Sequence, residues 1–85
     1  MSIVKRLEFL FREVLRDPNL HLTRQSNPLS VEGWDSRAHV NLIVAIEQEF
    51  EIRFNEEELL QFEDAGVMMD LINRKLATGR QHAAN

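Results

Sequence analysis

The chain has 85 residues, of which 44% are hydrophobic and 28% charged, and its formal net charge is −4. A chain of this length is expected to form one domain, residues 1–85, which buries roughly 60–65% of its unfolded surface and leaves little room for a deep catalytic cavity. The sequence has no cysteine, which excludes disulfides and thiolate ligands and fits a cytoplasmic location, and it has no apolar run near the roughly 20 residues of a membrane span, so we expect no membrane insertion.

The first predicted element is a helix from about Ile3 to Arg16, because its apolar residues recur with the period of a helix. Ser2 can cap its start, and Asp17-Pro18 is expected to end it, since proline lacks an amide donor. A long loop follows, from Asp17 to Trp34. Its apolar residues have no regular spacing, which indicates a loop packed over the core rather than a free linker: Leu20, Leu22, Leu29, Val31 and Trp34.

The second helix is predicted from Asp35-Ser36 to about Glu51, and it is apolar over most of its girth. Asn55 and Glu58 match a capping box and predict a short third helix, from which Leu59, Leu60 and Phe62 are expected to face inward. A fourth helix is expected to follow the cap Asp64 and to end near Ala77, which leaves a core of about residues 3–77 and a flexible tail, residues 78–85. The phenylalanines and methionines are expected mostly in the core, with a transient acyl pocket as the alternative: Phe9, Phe11, Phe50, Phe54, Phe62, Met68 and Met69. The predicted fold class is all-α, a four-helix bundle with a long loop between helices 1 and 2 and a short third helix.

Charge is distributed unevenly along these elements. Residues 35–64 contain nine acids and two bases, a net charge of −7, whereas the rest of the chain carries +3. An acidic surface repels a phosphate backbone, so we expect no nucleic-acid partner. It attracts proteins that present lysine and arginine patches.

The segment Gly33-Trp34-Asp35-Ser36 lies where the long loop meets the positive end of the second helix. Asp35 is expected to accept amide hydrogen bonds there as the helix cap, and Ser36 is then held exposed in the first turn. A phosphodiester on the Ser36 hydroxyl would be favoured by the helix N-terminus. Asp-Ser is also an ordinary helix start, so the local chemistry by itself requires no function.

The Asp-Ser pair, the stretch from Val40 to Ile52 and the acidic short helix that follows together resemble the acyl carrier protein family, over about residues 3–77. The resemblance implies a carrier that is not an enzyme and has no catalytic residue and no metal site. In this family, the serine at the position of Ser36 carries 4'-phosphopantetheine from coenzyme A, on which acyl or polyketide-type intermediates are held as thioesters. The chain has no thiol of its own, so a thioester carrier of this sequence needs such an arm.

The resemblance also implies the partners: a phosphopantetheinyl transferase, and acyltransferases, acyl ligases and synthases of a lipid, polyketide or peptide pathway. Arg37 stands where the family motif has leucine, and Ala38 and Asn41 stand where many members have acids. An unmodified, carrier-like interaction module is therefore kept as the alternative function. We expect a monomer whose partners are recognised by residues of helices 2 and 3: Arg37, Val40, Asn41, Glu47, Glu49, Glu56 and Glu57.

His39 lies three residues after Ser36 on the same helical face, which invites comparison with a serine hydrolase. Such a site is disfavoured, because Asp35 and Ser36 point about 100° apart on a helix. The sequence indicates no oxyanion hole and no cleft that excludes water. We expect His39 to be a partly exposed residue near the arm.

Overall fold

The structure is a computed structural model that describes the backbone of residues 2–83 and the side chains of residues 2–77. It contains four helices: α1 (Ile3–Leu15), α2 (Ser36–Phe50), α3 (Glu56–Leu60) and α4 (Ala65–Ala83). The described residues form no strand, and the all-α prediction with its short third helix is confirmed. No helix in this part of the chain is long and apolar enough to cross a membrane.

Helix α4 continues past Ala77, the end expected from the sequence, and reaches Ala83. The expected flexible tail covers residues 78–85. The side chains of those residues and the last two backbone positions lie outside the described residues, so the flexibility of this tail stays a prediction.

Local signals explain where α1 and α3 begin and where α1 and α2 end. The Ser2 hydroxyl accepts the backbone N–H of Lys5 at 3.2 Å, and Asn55 and Glu58 form both halves of a capping box at 2.9 Å each. Arg16 and Glu51 take left-handed backbone conformations, with φ of 56° and 54°, and thereby end α1 and α2.

The centre of the core consists of pairs of side chains spaced four residues apart on three helices. Each pair lies on the inward side of its helix, and all six side chains are fully buried: Leu7 and Phe11 on α1, Leu42 and Ile46 on α2, and Met68 and Ile72 on α4. Helix α1 packs against both α2 and α4. Each buried side chain of this size contributes about 1.5–3 kcal/mol by leaving water.

The long loop lies over this core, as expected, and hydrogen bonds near its middle tie it to α1 and to α4. Leu20, Leu22 and Trp34 are buried. Near α1, the N–H of Leu22 donates to the Glu8 carboxylate at 2.9 Å. Near α4, the N–H of Gly66 donates to the Arg24 carbonyl at 2.9 Å.

Several apolar residues expected to pack inward are exposed instead, among them Leu29, Leu60 and Phe9. Leu29 is fully exposed at the tip of the loop, and Leu60 is 84% exposed at the end of the short helix α3. Phe9 is 59% exposed because it lies about 160–200° around α1 from the buried residues Leu7 and Phe11. The other phenylalanines and methionines assigned to the core are buried: Phe11, Phe50, Phe54, Phe62, Met68 and Met69.

Candidate functional site

The start of α2 is fixed by its own cap and by the core beneath it. Asp35 is the N-cap, and its carboxylate accepts the N–H of Ala38 at 2.8 Å. One residue earlier, the Trp34 side chain is only 2% exposed and meets the Phe11 ring edge-on, with 4.9 Å between the centroids. Gly33 has φ of +88°, a conformation that favours glycine, and allows the loop to turn just before this anchor.

Ser36 is the first residue of α2, and its side chain is exposed. The hydrogen bonds around it join Asp35 to Ala38 and His39, and no described residue bonds to its hydroxyl. A negative group at this end of a 15-residue helix is favoured by the helix dipole, typically by about 0.3–1 kcal/mol. An exposed, unbonded primary alcohol at a positive helix end therefore fits the attachment of a phosphodiester.

His39 is bonded to Trp34 rather than to Ser36. The indole N–H of Trp34 donates to His39 Nδ1 at 3.0 Å, so the imidazole carries its proton on Nε2. The imidazole ring is stacked on Trp34 and meets Phe62 edge-on, with centroid distances of 6.0 and 6.2 Å. Burial lowers the pKa of His39 below its usual value of 6.5. No basic nitrogen is left to activate Ser36, which removes the serine-hydrolase arrangement.

An exposed stripe runs along α2 from the residue after Ser36. It consists of Arg37, Val40, Asn41 and Val44, and we call it the α2 stripe. Val40 is 59% exposed and Val44 is 46% exposed. The first three are among the recognition residues expected from the sequence, whereas Val44 is not. The i,i+4 spacing from Val40 was the signal that could have identified Val44.

The acids expected to recognise partners fall into two groups. Glu47 accepts the N–H of Phe54 at 2.9 Å, and Glu49 pairs with Arg6 at 3.0 Å, so both make contacts within the fold. Glu56 and Glu57 are exposed on α3 and form no ion pair with any described side chain. Sequence reasoning missed this division, because Arg6 and Glu49 are 43 residues apart. A recognition role for the four acids stays a prediction.

Comparison with known proteins identifies the class of protein to which the chain belongs. Residues 5–72 match the family model described as a phosphopantetheine attachment site. The chain is also similar to the solution NMR structure of a holo acyl carrier protein from Geobacter metallireducens, with a TM-score of 0.88 and 35% identity over 96% of this chain and 94% of that one. A search of curated proteins gave no match.

Because the family model covers well over half of the chain, the protein belongs to the family with a phosphopantetheine attachment site. It is a carrier protein of the acyl carrier protein type and not an enzyme. Its cofactor is a covalently attached 4'-phosphopantetheine.

Proposed function

We propose that Ser36 is the attachment residue and that the protein carries acyl or polyketide-type intermediates as thioesters on the attached arm. The observation that carries this proposal is the exposed, unbonded hydroxyl of Ser36 directly after the N-cap Asp35. When bound, 4'-phosphopantetheine supplies the thiol that the chain itself lacks. Since coenzyme A is the donor of the arm, the proposal also implies a cytoplasmic location.

The residues around Ser36 present the arm and take no part in chemistry. Asp35 closes the first turn of α2, and the buried Trp34 ties that turn to the core. The attachment point is therefore held on a rigid element, while a flexible arm raises the effective concentration of its cargo at a docked enzyme.

Partner enzymes dock, in this proposal, on the α2 stripe and the free acids of α3. The stripe offers apolar contact through Val40 and Val44, and Glu56 and Glu57 attract basic patches. These partners are the transferase that loads the arm, and acyltransferases, acyl ligases and synthases of a lipid, polyketide or peptide pathway. Arg37 adds an exposed positive charge beside Ser36. The partner enzymes are therefore expected to present an acidic residue to Arg37 when they dock.

The test is the intact mass of the protein after incubation with coenzyme A, Mg²⁺ and a broad-specificity phosphopantetheinyl transferase. We expect the wild type to gain one phosphopantetheinyl group and Ser36→Ala to gain none. Ser30→Ala, at another exposed serine, is the matched control and should load like the wild type. Loading of Ser36→Ala would overturn the assignment. A wild type that stays unmodified with its host's own transferase would favour the unmodified interaction module.

A further inference from the structure

The imidazole of His39 has one ring nitrogen that the fold uses and one that it leaves free. Nδ1 accepts the indole N–H of the buried Trp34 at 3.0 Å, so the proton of the neutral ring lies on Nε2. The Nε2–H makes no hydrogen bond with any described residue, and Nε2 is not a buried atom. The fold therefore fixes His39 as a hydrogen-bond donor whose donating atom reaches the surface.

This donor lies over the first turn of α2. His39 follows Ser36 by three residues, which places it about 60° around the helix and about 4.5 Å along it. Side chains on a helix lean toward its N-terminus. The bond from Trp34, which precedes the N-cap, shows that the imidazole leans in this direction. The Nδ1 edge of the ring faces the indole, so the Nε2–H on the other edge points away from the buried Trp34.

The Ser36 hydroxyl itself makes no hydrogen bond with His39. A phosphodiester on this hydroxyl would carry two further oxygens, each two bonds beyond Oγ, which share one negative charge. Anionic oxygens are stronger acceptors of N–H bonds than neutral groups are. Attachment of the arm therefore places a strong acceptor within one helical turn of a donor that has no partner in the described residues.

We propose, on the basis of the proposed attachment at Ser36, that His39 is a positioning residue that donates its Nε2–H to the phosphodiester at the root of the arm. The bond holds the root of the arm against α2 and sets the direction in which the flexible remainder leaves the protein. Trp34 fixes the tautomer that makes this bond possible, and the edge-on contact with Phe62 restricts rotation of the ring.

The charges around His39 leave room for a clear effect of the phosphodiester. Asp35 and Arg37 on α2 and Glu63, which follows Phe62, are the nearest charged residues along the elements that contact the ring. The Asp35 carboxylate accepts the Ala38 N–H at 2.8 Å, and Arg37 lies about 160° around the helix from His39. Burial is the cause of the lowered pKa of His39, and no described charge adds to it. A new negative charge that bonds to Nε2 should raise this pKa.

The first experiment is an NMR titration of the histidines in the full chain, before and after loading from coenzyme A. Intact mass and peptide mapping first establish that one phosphopantetheinyl group is on Ser36. Loading should increase the equilibrium constant for protonation of His39 by about three- to tenfold and slow the exchange of its Nε2 proton with water. His21, exposed on the long loop, is the matched control and should titrate equally in both forms.

The outcomes separate this inference from the function on which it rests. If Ser36 is loaded and His39 changes no more than His21, the positioning role is wrong, whereas the attachment residue is established. If no group is found on Ser36, both are wrong.

The phosphorus NMR signal of the loaded protein tests the same contact from the other partner. A phosphodiester does not titrate between pH 8 and pH 5, so the signal should move over this range only as His39 gains its proton. His39→Phe keeps a ring between Trp34 and Phe62 but has no donor, and it should lose this movement, whereas His21→Phe should retain it. If His39→Phe retains it too, the proposal is wrong. If this variant does not fold, the histidine titration of the wild type decides.

Discussion

The Trp34 indole joins the end of the long loop to the first turn of α2 by donating its N–H to Nδ1 of His39, at 3.0 Å. Only an unprotonated Nδ1 can accept this bond, because the imidazolium form carries a hydrogen on both ring nitrogens. His39 lies three residues after Ser36 on the same helix. The protonation state of His39 is therefore linked to the packing that positions the first turn of α2, where Ser36 lies.

Acidification should weaken the fold through His39. Burial lowers the pKa of His39 in the folded protein below the 6.5 of the unfolded chain, so the unfolded chain binds the proton more readily. The contribution of neutral His39 is complete above pH 6.5 and is lost as the pH falls from there through the folded pKa. The free energy of unfolding, measured with urea between pH 8 and pH 5, should therefore fall as the pH is lowered. His39→Gln, which keeps an acceptor but does not titrate, should show a smaller fall, and His21→Gln should retain the wild-type fall. An equal fall in His39→Gln and the wild type would contradict this origin.

Glu47 should matter for stability, whereas Glu57 should matter for docking. Glu47→Ala removes the acceptor of the Phe54 N–H and should lower the free energy of unfolding by about 1–2 kcal/mol. Glu57 is exposed, so Glu57→Ala should change that free energy by less than about 0.5 kcal/mol. Urea denaturation of both variants and of Glu47→Gln, which keeps an acceptor, measures the difference. Equal stability of the two alanine variants would show that the Glu47 bond contributes nothing.

Gly66→Ala should destabilise the protein, although alanine is the better helix former by about 1 kcal/mol. An added Cβ at Gly66 would lie 2.9 Å from the Arg24 carbonyl oxygen, a backbone atom that the N–H of Gly66 already contacts. The loop must move away from α4, and we expect a loss of about 1–3 kcal/mol in thermal or urea unfolding. A gain in stability would mean that the loop can move away from α4 without loss of free energy. Gly33→Ala serves as the comparison, since the space there is open and the strain comes only from its positive φ.

Arg37→Leu should increase the rate at which a broad-specificity transferase loads the arm. The substitution replaces an exposed cation with the apolar residue of the family motif and extends the apolar part of the α2 stripe. We expect kcat/KM for loading to rise about 3- to 10-fold, roughly 1 kcal/mol. Arg53→Leu, which removes an exposed cation outside the α2 stripe, is the matched control and should load like the wild type. A fall in kcat/KM with Arg37→Leu would show instead that the transferase uses the positive charge.

The sequence was sufficient to predict the four helices, the starts of the first three and the cap that precedes Ser36. Ser2, Asp35 and the pair Asn55–Glu58 each act on amides within three residues, so their effect on helix starts depends on local sequence. The four-residue spacing of Leu42 and Ile46 likewise fixed the inward side of α2. Helix α4 was the exception, since the polar residues after Ala77 suggested an end that its backbone does not show.

Contacts between distant elements were decided only by the tertiary structure. Glu47 and Glu49 have the same chemistry as Glu56 and Glu57, but only the first two meet partners within the fold, the Phe54 amide and Arg6. Phe9 and Phe11 are the same residue type on the same helix, and only Phe11 is buried in the core, against Trp34. Local sequence sets backbone conformation, because caps and spacing act within a turn or two. Which side chains become buried or paired depends on how helices that are distant in the chain pack against one another, and that packing left the Ser36 hydroxyl exposed and Phe9 facing solvent.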